Sequence, residues 1–183
     1  MNPRDIKTTE DARKMVENQT ASHVKVGVFD IDGILRGKYM SKQKFLSALD
    51  EGFGFCDVVL GWDMKDQLYD NTQYTGWHTG YPDASVEIIP DSCRSLPMEG
   101  SDLFFMAQFT GEAEAICPRG LLKRVLKRAK DMGFDVLAGF EYEFFVFDET
   151  PQSVREKSFQ NLTPMAPGDF GYSVIRNTTH EST

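Results

Sequence analysis

The sequence has little of what secreted, membrane-spanning or zinc-stabilised proteins need. It contains only three cysteines in 183 residues (Cys56, Cys93 and Cys117), and no two of them form a CxxC pair. We therefore expect a reduced, cytoplasmic protein with neither a disulfide framework nor a structural zinc site. No apolar run approaches the roughly 20 residues that cross a bilayer. The N-terminal residues are polar, so we expect neither a secretory signal nor a membrane partner.

Positive charge is also scarce. The chain has 20 Lys and Arg against 28 Asp and Glu, a formal net charge of −8, which argues against a dedicated nucleic-acid-binding protein. The basic residues between 123 and 130 are typical of the solvated side of an amphipathic helix, since the apolar stripe is intact and no aromatic residues interrupt it. Walker A, GxGxxG, GxSxG and HExxH motifs are all missing, so the sequence lacks the signatures of those enzyme classes.

The pattern that is present predicts an α+β protein. Apolar residues alternate from Val24 to Val28, and residues 34–40 form a second strand-like stretch, so the two predict a hairpin. Ser41 is placed to cap a helix over 42–50, and a further helix is expected within 8–20 with Thr8 or Thr9 as its cap. Three more short strands are expected, at 55–60, 86–89 and 103–109.

The pattern changes after residue 115. A helix over 121–132 is followed by a stretch, 134–147, that reads as one long strand or two strands that meet. One helix and one strand cannot bury both faces of a sheet. We therefore expect a complete small domain over 1–115 and, over 116–183, the incomplete opening of a larger domain.

The first candidate site is the turn Asp30-Ile31-Asp32-Gly33 of the expected hairpin. An apolar strand ending in DxDG is similar to the first motif of haloacid dehalogenase-like phosphatases, in which paired carboxylates beside Mg²⁺ serve phosphoryl transfer. The alternative is a plain turn, because Asp and Gly tolerate turn backbones. The turn is favoured: the chain continues as a strand where the phosphatase motif has a Thr, and no downstream partner residues are found.

The second candidate is the pair Glu141 and Glu143. In a strand the two side chains share one face, roughly 6.5–7 Å apart. Carboxylates that close repel each other unless cations neutralise them, and Mg²⁺ or Mn²⁺ ions prefer oxygen ligands. The alternative is a strand end whose acidic side chains face water.

The third candidate is Trp62 with Asp63, inside the irregular segment 61–82. A Trp and an Asp on a loop can form a lid or an edge that binds an amine. A Trp that merely pins its own loop is an equally good interpretation.

Together these segments resemble the glutamine synthetase family. The markers are VFDIDGILRGKYM, LGWDM, SVEIIPD and, most specific, CPRGLLKRVLKRAKDMGFDVLAGFEYEFFVF at 117–147. The LRGK hairpin and the GWD loop point to the branch of γ-glutamyl ligases for polyamines and other amines. The resemblance implies an N-terminal β-grasp domain followed by the start of the catalytic domain.

The resemblance also assigns roles. It implies that Glu141 and Glu143 are metal ligands, one to each of two Mg²⁺ or Mn²⁺ ions. It further implies that Asp63 reaches a neighbouring subunit's active site and helps to deprotonate the incoming ammonium, with Trp62 beside it. The implied reaction joins glutamate to ammonia or an amine through a γ-glutamyl phosphate, with ATP as co-substrate, in a homo-oligomer.

The family's other metal ligands and its ATP-binding arginines have no match in this chain. We therefore expect no independent ligase activity from these residues. The alternative function is a non-catalytic β-grasp module that binds or assembles with other subunits.

Overall fold

The computed structural model describes residues 2–100 and 102–165. Contacts divide the chain into two units, Met1–Val136 and Leu137–Thr183. Among the described residues, no helix is long and apolar enough to span a membrane.

The first unit is a mixed α+β arrangement. Its strands are β1 (His23–Phe29), β2 (Leu35–Ser41), β3 (Phe53–Cys56), β4 (Asp83–Ile88), β5 (Arg94–Ser95) and β6 (Leu103–Phe109). Its helices are α1 (Thr9–Glu17), α2 (Lys42–Glu51), α3 (Glu112–Ile116) and α4 (Pro118–Asp131), with short 3-10 turns between several elements. The second unit contains α5 (Pro151–Glu156).

The sheet has the order β2-β1-β6-β4-β3, and β5 pairs with β6 outside this path. β1 and β6 run parallel at its centre, whereas the other pairs are antiparallel. The alternating apolar residues of β1 and β6 are buried on one face, as a period of two requires. Phe45 of α2 packs on Phe105 of β6 with ring centroids 4.7 Å apart.

The sheet is curled, as the contacts of Lys38 with the opposite edge strand show. Lys38 lies on β2 at one edge, yet its ammonium is 4.8 Å from the ring centroid of Phe55 on β3 at the other edge. It also donates to the carbonyl oxygen of Gly54 at 3.4 Å. The two outer strands therefore approach each other over the concave side.

The predicted hairpin and the helix caps are confirmed. Thr8 accepts a hydrogen bond from the backbone N–H of Asp11 and completes a capping box, and Ser41 accepts from the N–H of Lys44. Gly52 ends α2 with a φ of +69°, a conformation that glycine adopts without strain.

The strand expected at 55–60 is shorter than predicted. The chain leaves β3 after Cys56 and forms a 3-10 turn over Asp57–Leu60. The cause is a buried polar contact: the hydroxyl of Thr75 donates to the carboxylate of Asp57 at 2.7 Å, which holds Asp57 inside the fold.

The prediction of one long strand, or two strands that meet, over 134–147 is wrong. Residues 134–146 belong to no strand, and Phe147 makes only an isolated bridge with Pro164. Phe140 and Phe144 are 89% and 79% exposed. Within the described residues no second strand runs beside this segment, so its alternating side chains have no ladder to join.

The apolar stripe of helix α4 is also exposed. Leu121, Leu122, Val125 and Leu126 are all at least 40% exposed. The predicted helix and its amphipathic pattern are thus present, but the stripe is not part of the core of the first unit.

Candidate functional site

Two segments of the first unit come together beside the hairpin: the turn 30–33 and the loop 61–69. Asp30 is fully buried, and its Oδ1 accepts from the backbone N–H groups of Asp32 and Ile34 at 3.0 and 2.8 Å. Its Oδ2 accepts from Nε of Arg36 at 2.7 Å. Both oxygens are therefore bonded and out of reach of a phosphate ester. The geometry favours the turn interpretation of DxDG over the phosphatase interpretation.

The guanidinium of Arg36 joins the turn to the loop. Its Nη1 lies 2.6 Å from Oδ1 of Asp66, and its Nη2 donates to the carbonyl oxygen of Asp63 at 3.4 Å. The central guanidinium carbon of Arg36, Cζ, lies 5.0 Å from the ring centroid of Trp62, which is a cation–π contact. The hydrogen bond to Asp30 is the main reason that the pKa of Arg36 is raised. A planar guanidinium fork can serve all these partners at once.

Asp63 shapes its own loop. Its Oδ1 accepts from the backbone N–H groups of Lys65 and Gln67 at 2.8 and 2.9 Å. The hydrogen bond from the backbone N–H of Gln67 is the largest cause that lowers the pKa of Asp63. The hydrogen bond from the N–H of Lys65 and the positive charge of Arg36 lower this pKa further. The carboxylate is therefore held in its anionic form.

Trp62 is partly buried and packs against the core of the first unit. Its indole Nε1 is buried and has no hydrogen-bond partner among the described residues. Together with the contact to Arg36, this packing agrees with the interpretation that Trp62 pins its loop. A role in binding substrate stays a prediction.

Glu141 and Glu143 lie in the second unit, on the segment that forms no strand, and both are exposed. The same-face spacing expected for a strand is therefore not present. The described residues contain no group of three or more His, Cys, Asp or Glu side chains arranged to hold a metal ion. The predicted metal role of the pair stays a prediction.

A cavity of about 450 Å³ lies in the first unit beside the turn 30–33. It is lined by Ile31, Leu60, Thr72, Gln73, Tyr74, Thr75 and Ile116. Trp62 and Asp63 do not line this cavity.

The sequence interpretation missed Arg36 and Asp66 as parts of this site. A usable signal existed: the hairpin register pairs Arg36 with Val28, a buried residue, and a cation on the buried face of a strand needs an acidic partner. Asp66 gives no comparable signal, because nothing in the sequence predicts the backbone of the loop.

Comparisons with known proteins agree with the sequence pattern. Residues 115–182 match the family model for the glutamine synthetase catalytic domain. The chain is 44% identical over 158 residues to type-1 glutamine synthetase 2 of Dictyostelium discoideum, covering 85% of this chain and 30% of that protein. It is 31% identical over 174 residues to glutamate–isopropylamine ligase of a Pseudomonas species, covering 91% of this chain and 37% of the relative.

The fold also has a counterpart among solved structures. A complex of GmaS with ADP matches with a TM-score of 0.50 and 20% identity, over 66% of this chain and 26% of that one. The chain thus spans about a third of the length of the curated relatives it matches.

Proposed function

Because this chain belongs to the glutamine synthetase family, we propose that it supplies the N-terminal part of an ATP-dependent glutamate ligase. The reaction joins the γ-carboxylate of glutamate to ammonia or an amine through a γ-glutamyl phosphate. The observation that carries the proposal is the 44% identity to a type-1 glutamine synthetase over most of the chain. The Glu141-Tyr142-Glu143 sequence lies within the segment that matches the catalytic-domain model.

The part of the first unit before residue 116 is proposed to be a β-grasp domain. Its hairpin, the helix α2 on one face and the central parallel pair β1 and β6 support this assignment. The proposed domain boundary falls between residues 115 and 116, and the catalytic-domain match begins at residue 115.

Glu141 and Glu143 are proposed to be metal ligands, one for each of two divalent ions. Their carboxylate oxygens suit the hard ions Mg²⁺ and Mn²⁺, and both side chains are exposed and open to a ligand. When bound, such ions would neutralise the phosphate charge of ATP as the γ-phosphoryl group moves to glutamate.

Asp63 is proposed to act on the ammonium form of the incoming amine, at the active site of a neighbouring subunit in a homo-oligomer. Its lowered pKa keeps it anionic, so it attracts a cation well. The same shift makes it a weak proton acceptor, since a general base works best with a pKa near the working pH. Trp62 is proposed to line the amine side of the site.

The test is a product assay on the protein isolated from its source cells at its natural length. Incubation with ATP, glutamate and a panel of ammonia, alkylamines and polyamines is expected to yield ADP and a γ-glutamyl amide, both identified by mass spectrometry. Glu143→Gln is expected to abolish turnover, while Asp148→Asn, an exposed acid on the same segment, keeps it. Residues 1–183 alone are expected to be inactive.

A natural-length protein without turnover on any amine would contradict the ligase proposal. If that protein still bound other subunits, the non-catalytic assembly module would take its place. Turnover by residues 1–183 alone would contradict the proposed incompleteness of their active site.

A further inference from the structure

We propose that Arg36 is the positioning residue that holds the loop 61–69 in place and thereby sets how well Asp63 meets the amine. This inference rests on the proposed ligase function. Arg36 touches no reacting atom in this proposal. It acts through the loop that it anchors.

The side chain of Arg36 joins the hairpin turn to the loop. The buried end of Arg36 is tied to Asp30 in the hairpin turn at 2.7 Å. Its outer nitrogens reach the loop at Asp66 and at the carbonyl oxygen of Asp63. The hairpin and the loop thus share one rigid, planar connector.

Most of the other hydrogen bonds of the loop are internal. The backbone N–H of Asp63 donates to the carbonyl oxygen of Gln67, the N–H of Gln67 donates to Oδ1 of Asp63, and Trp62 pairs with Leu68 in an isolated bridge. Besides Arg36, one side chain of the turn reaches the loop: Oδ2 of Asp32 accepts from the N–H of Met64 at 2.8 Å. Internal bonds preserve the shape of the loop, whereas its position on the sheet depends on the packing of Trp62 against the core and on the bonds to Asp32 and Arg36.

The ion pairs that Arg36 forms with Asp30 and with Asp66 differ in strength. Asp30 is fully buried, whereas the side chain of Asp66 is 58% exposed. Buried charge-assisted bonds are strong and exposed ion pairs are weak. Arg36 is therefore fixed at the hairpin end and supports the loop through its outer face, where Trp62 stacks on it.

Lysine cannot replace this connector. An ammonium is a single point charge, so it can bond Asp30 but cannot also span Asp66, the carbonyl of Asp63 and the Trp62 ring. A misplacement of about 1 Å can lower a rate by about 100-fold. Arg36→Lys should therefore keep the charge and lose the position of Asp63.

The kinetic test uses the natural-length protein. In Arg36→Lys we expect kcat/KM for the amine to fall by about 10- to 100-fold, with the KM values for ATP and glutamate within about twofold of the wild type. The deficit should shrink between pH 7 and pH 9, because more amine is then neutral and depends less on Asp63. Lys38→Met is the matched control, since Lys38 lies on the same strand but makes its contacts with Phe53, Gly54 and Phe55 of β3.

Three results would overturn the positioning role while leaving the ligase function intact. They are an unchanged kcat/KM for the amine in Arg36→Lys, an equal loss for amine, ATP and glutamate, and a loss that does not change with pH. Absence of turnover in the wild type would overturn both.

A second readout needs no activity. Trp62 and Trp77 are the two tryptophans of the 183-residue chain, so in that chain Trp77→Phe leaves Trp62 as the sole indole reporter. In that background, Arg36→Lys and Asp66→Asn should each raise acrylamide quenching of Trp62 by about twofold or more, as a loop gains mobility when a contact is lost, and Lys38→Met should not. Asp66→Asn keeps the buried Asp30 pair and so serves if Arg36→Lys does not fold. Quenching that stays constant in the folded variants would overturn the anchoring.

Discussion

Arg36 and Asp30 form an ion pair across the first hairpin, with Nε of Arg36 2.7 Å from Oδ2 of Asp30. The acid is fully buried and the base is 19% exposed. The pair fixes Arg36 at the hairpin turn, and the outer nitrogens of Arg36 reach the loop at Asp66 and at the carbonyl oxygen of Asp63.

Asp30→Asn should lower the free energy of unfolding by about 3 kcal/mol, because it leaves the guanidinium of Arg36 without its buried countercharge. Chemical denaturation of the 183-residue chain measures the loss. Asp70→Asn is the control, since Asp70 is an exposed acid just beyond the same loop and should change stability by less than about 0.5 kcal/mol. Equal effects of the two substitutions would contradict the structural role of the pair.

Glu149 should show an unusual titration. Hydrogen bonds from Lys157, Ser153 and the backbone of Thr163 lower the pKa of Glu149 to about 2. Since the folded pKa is depressed, the stabilisation is complete above the unfolded value of about 4.3 and is lost as the pH falls from about 5 toward 2. Carboxyl carbon NMR measures the midpoint directly.

Lys157→Met provides the matched test of that assignment. Lys157 is the largest cause of the shift, so its removal should raise the pKa of Glu149 toward the ordinary value, while Lys157→Arg should largely preserve the shift. A Glu149 midpoint near 4 in the unmodified chain would refute the hydrogen-bonded geometry.

Gly120→Ala should destabilise the first unit. A Cβ at this position would meet the carbonyl oxygen of Glu114, at the close approach of α3 to α4. Overpacking of this kind costs about 1–3 kcal/mol, to be read from thermal unfolding. Gly139→Ala is the comparison, because a Cβ there meets nothing within 4 Å; a similar melting temperature for both variants would count against the close helix contact.

Thr8→Ala should weaken α1 by about 1 kcal/mol, because the side chain of Thr8 caps the N–H of Asp11. Thr9→Ala, one position into the helix, removes the same atoms without removing a cap. Urea denaturation of both variants separates the cap from the general effect of losing a threonine, and the prediction fails if Thr9→Ala is as costly as Thr8→Ala.

Local chemistry made much of the first unit predictable. Ser41 and Gly52 bracket α2 by capping and by positive φ, and alternation from Val24 to Val28 predicts β1. The parallel pairing of β1 with β6 was not predictable in the same way. It joins residues far apart in sequence, and no local pattern selects which strand takes the central place.

The strand expected over 134–147 shows that a correct local pattern is not enough to form a strand. The alternation around Glu141 and Glu143 is a true strand pattern, but a strand exists only when a neighbour accepts its hydrogen bonds. The described residues offer none there. The site around Asp63 was half predictable for a similar reason: the Trp and Asp were identifiable by type, whereas the Arg36 connector depends on how the loop packs.

The central parallel pair has a consequence for how the polypeptide matures. Val24 on β1 pairs with Leu103 on β6, about 80 residues later in the chain. During synthesis the hairpin and α2 emerge first, but the middle of the sheet stays vacant until β6 has left the ribosome. The edge of β1 that pairs with β6 has no hydrogen-bond partner for that interval, which is when chaperones and aggregation compete for a nascent chain.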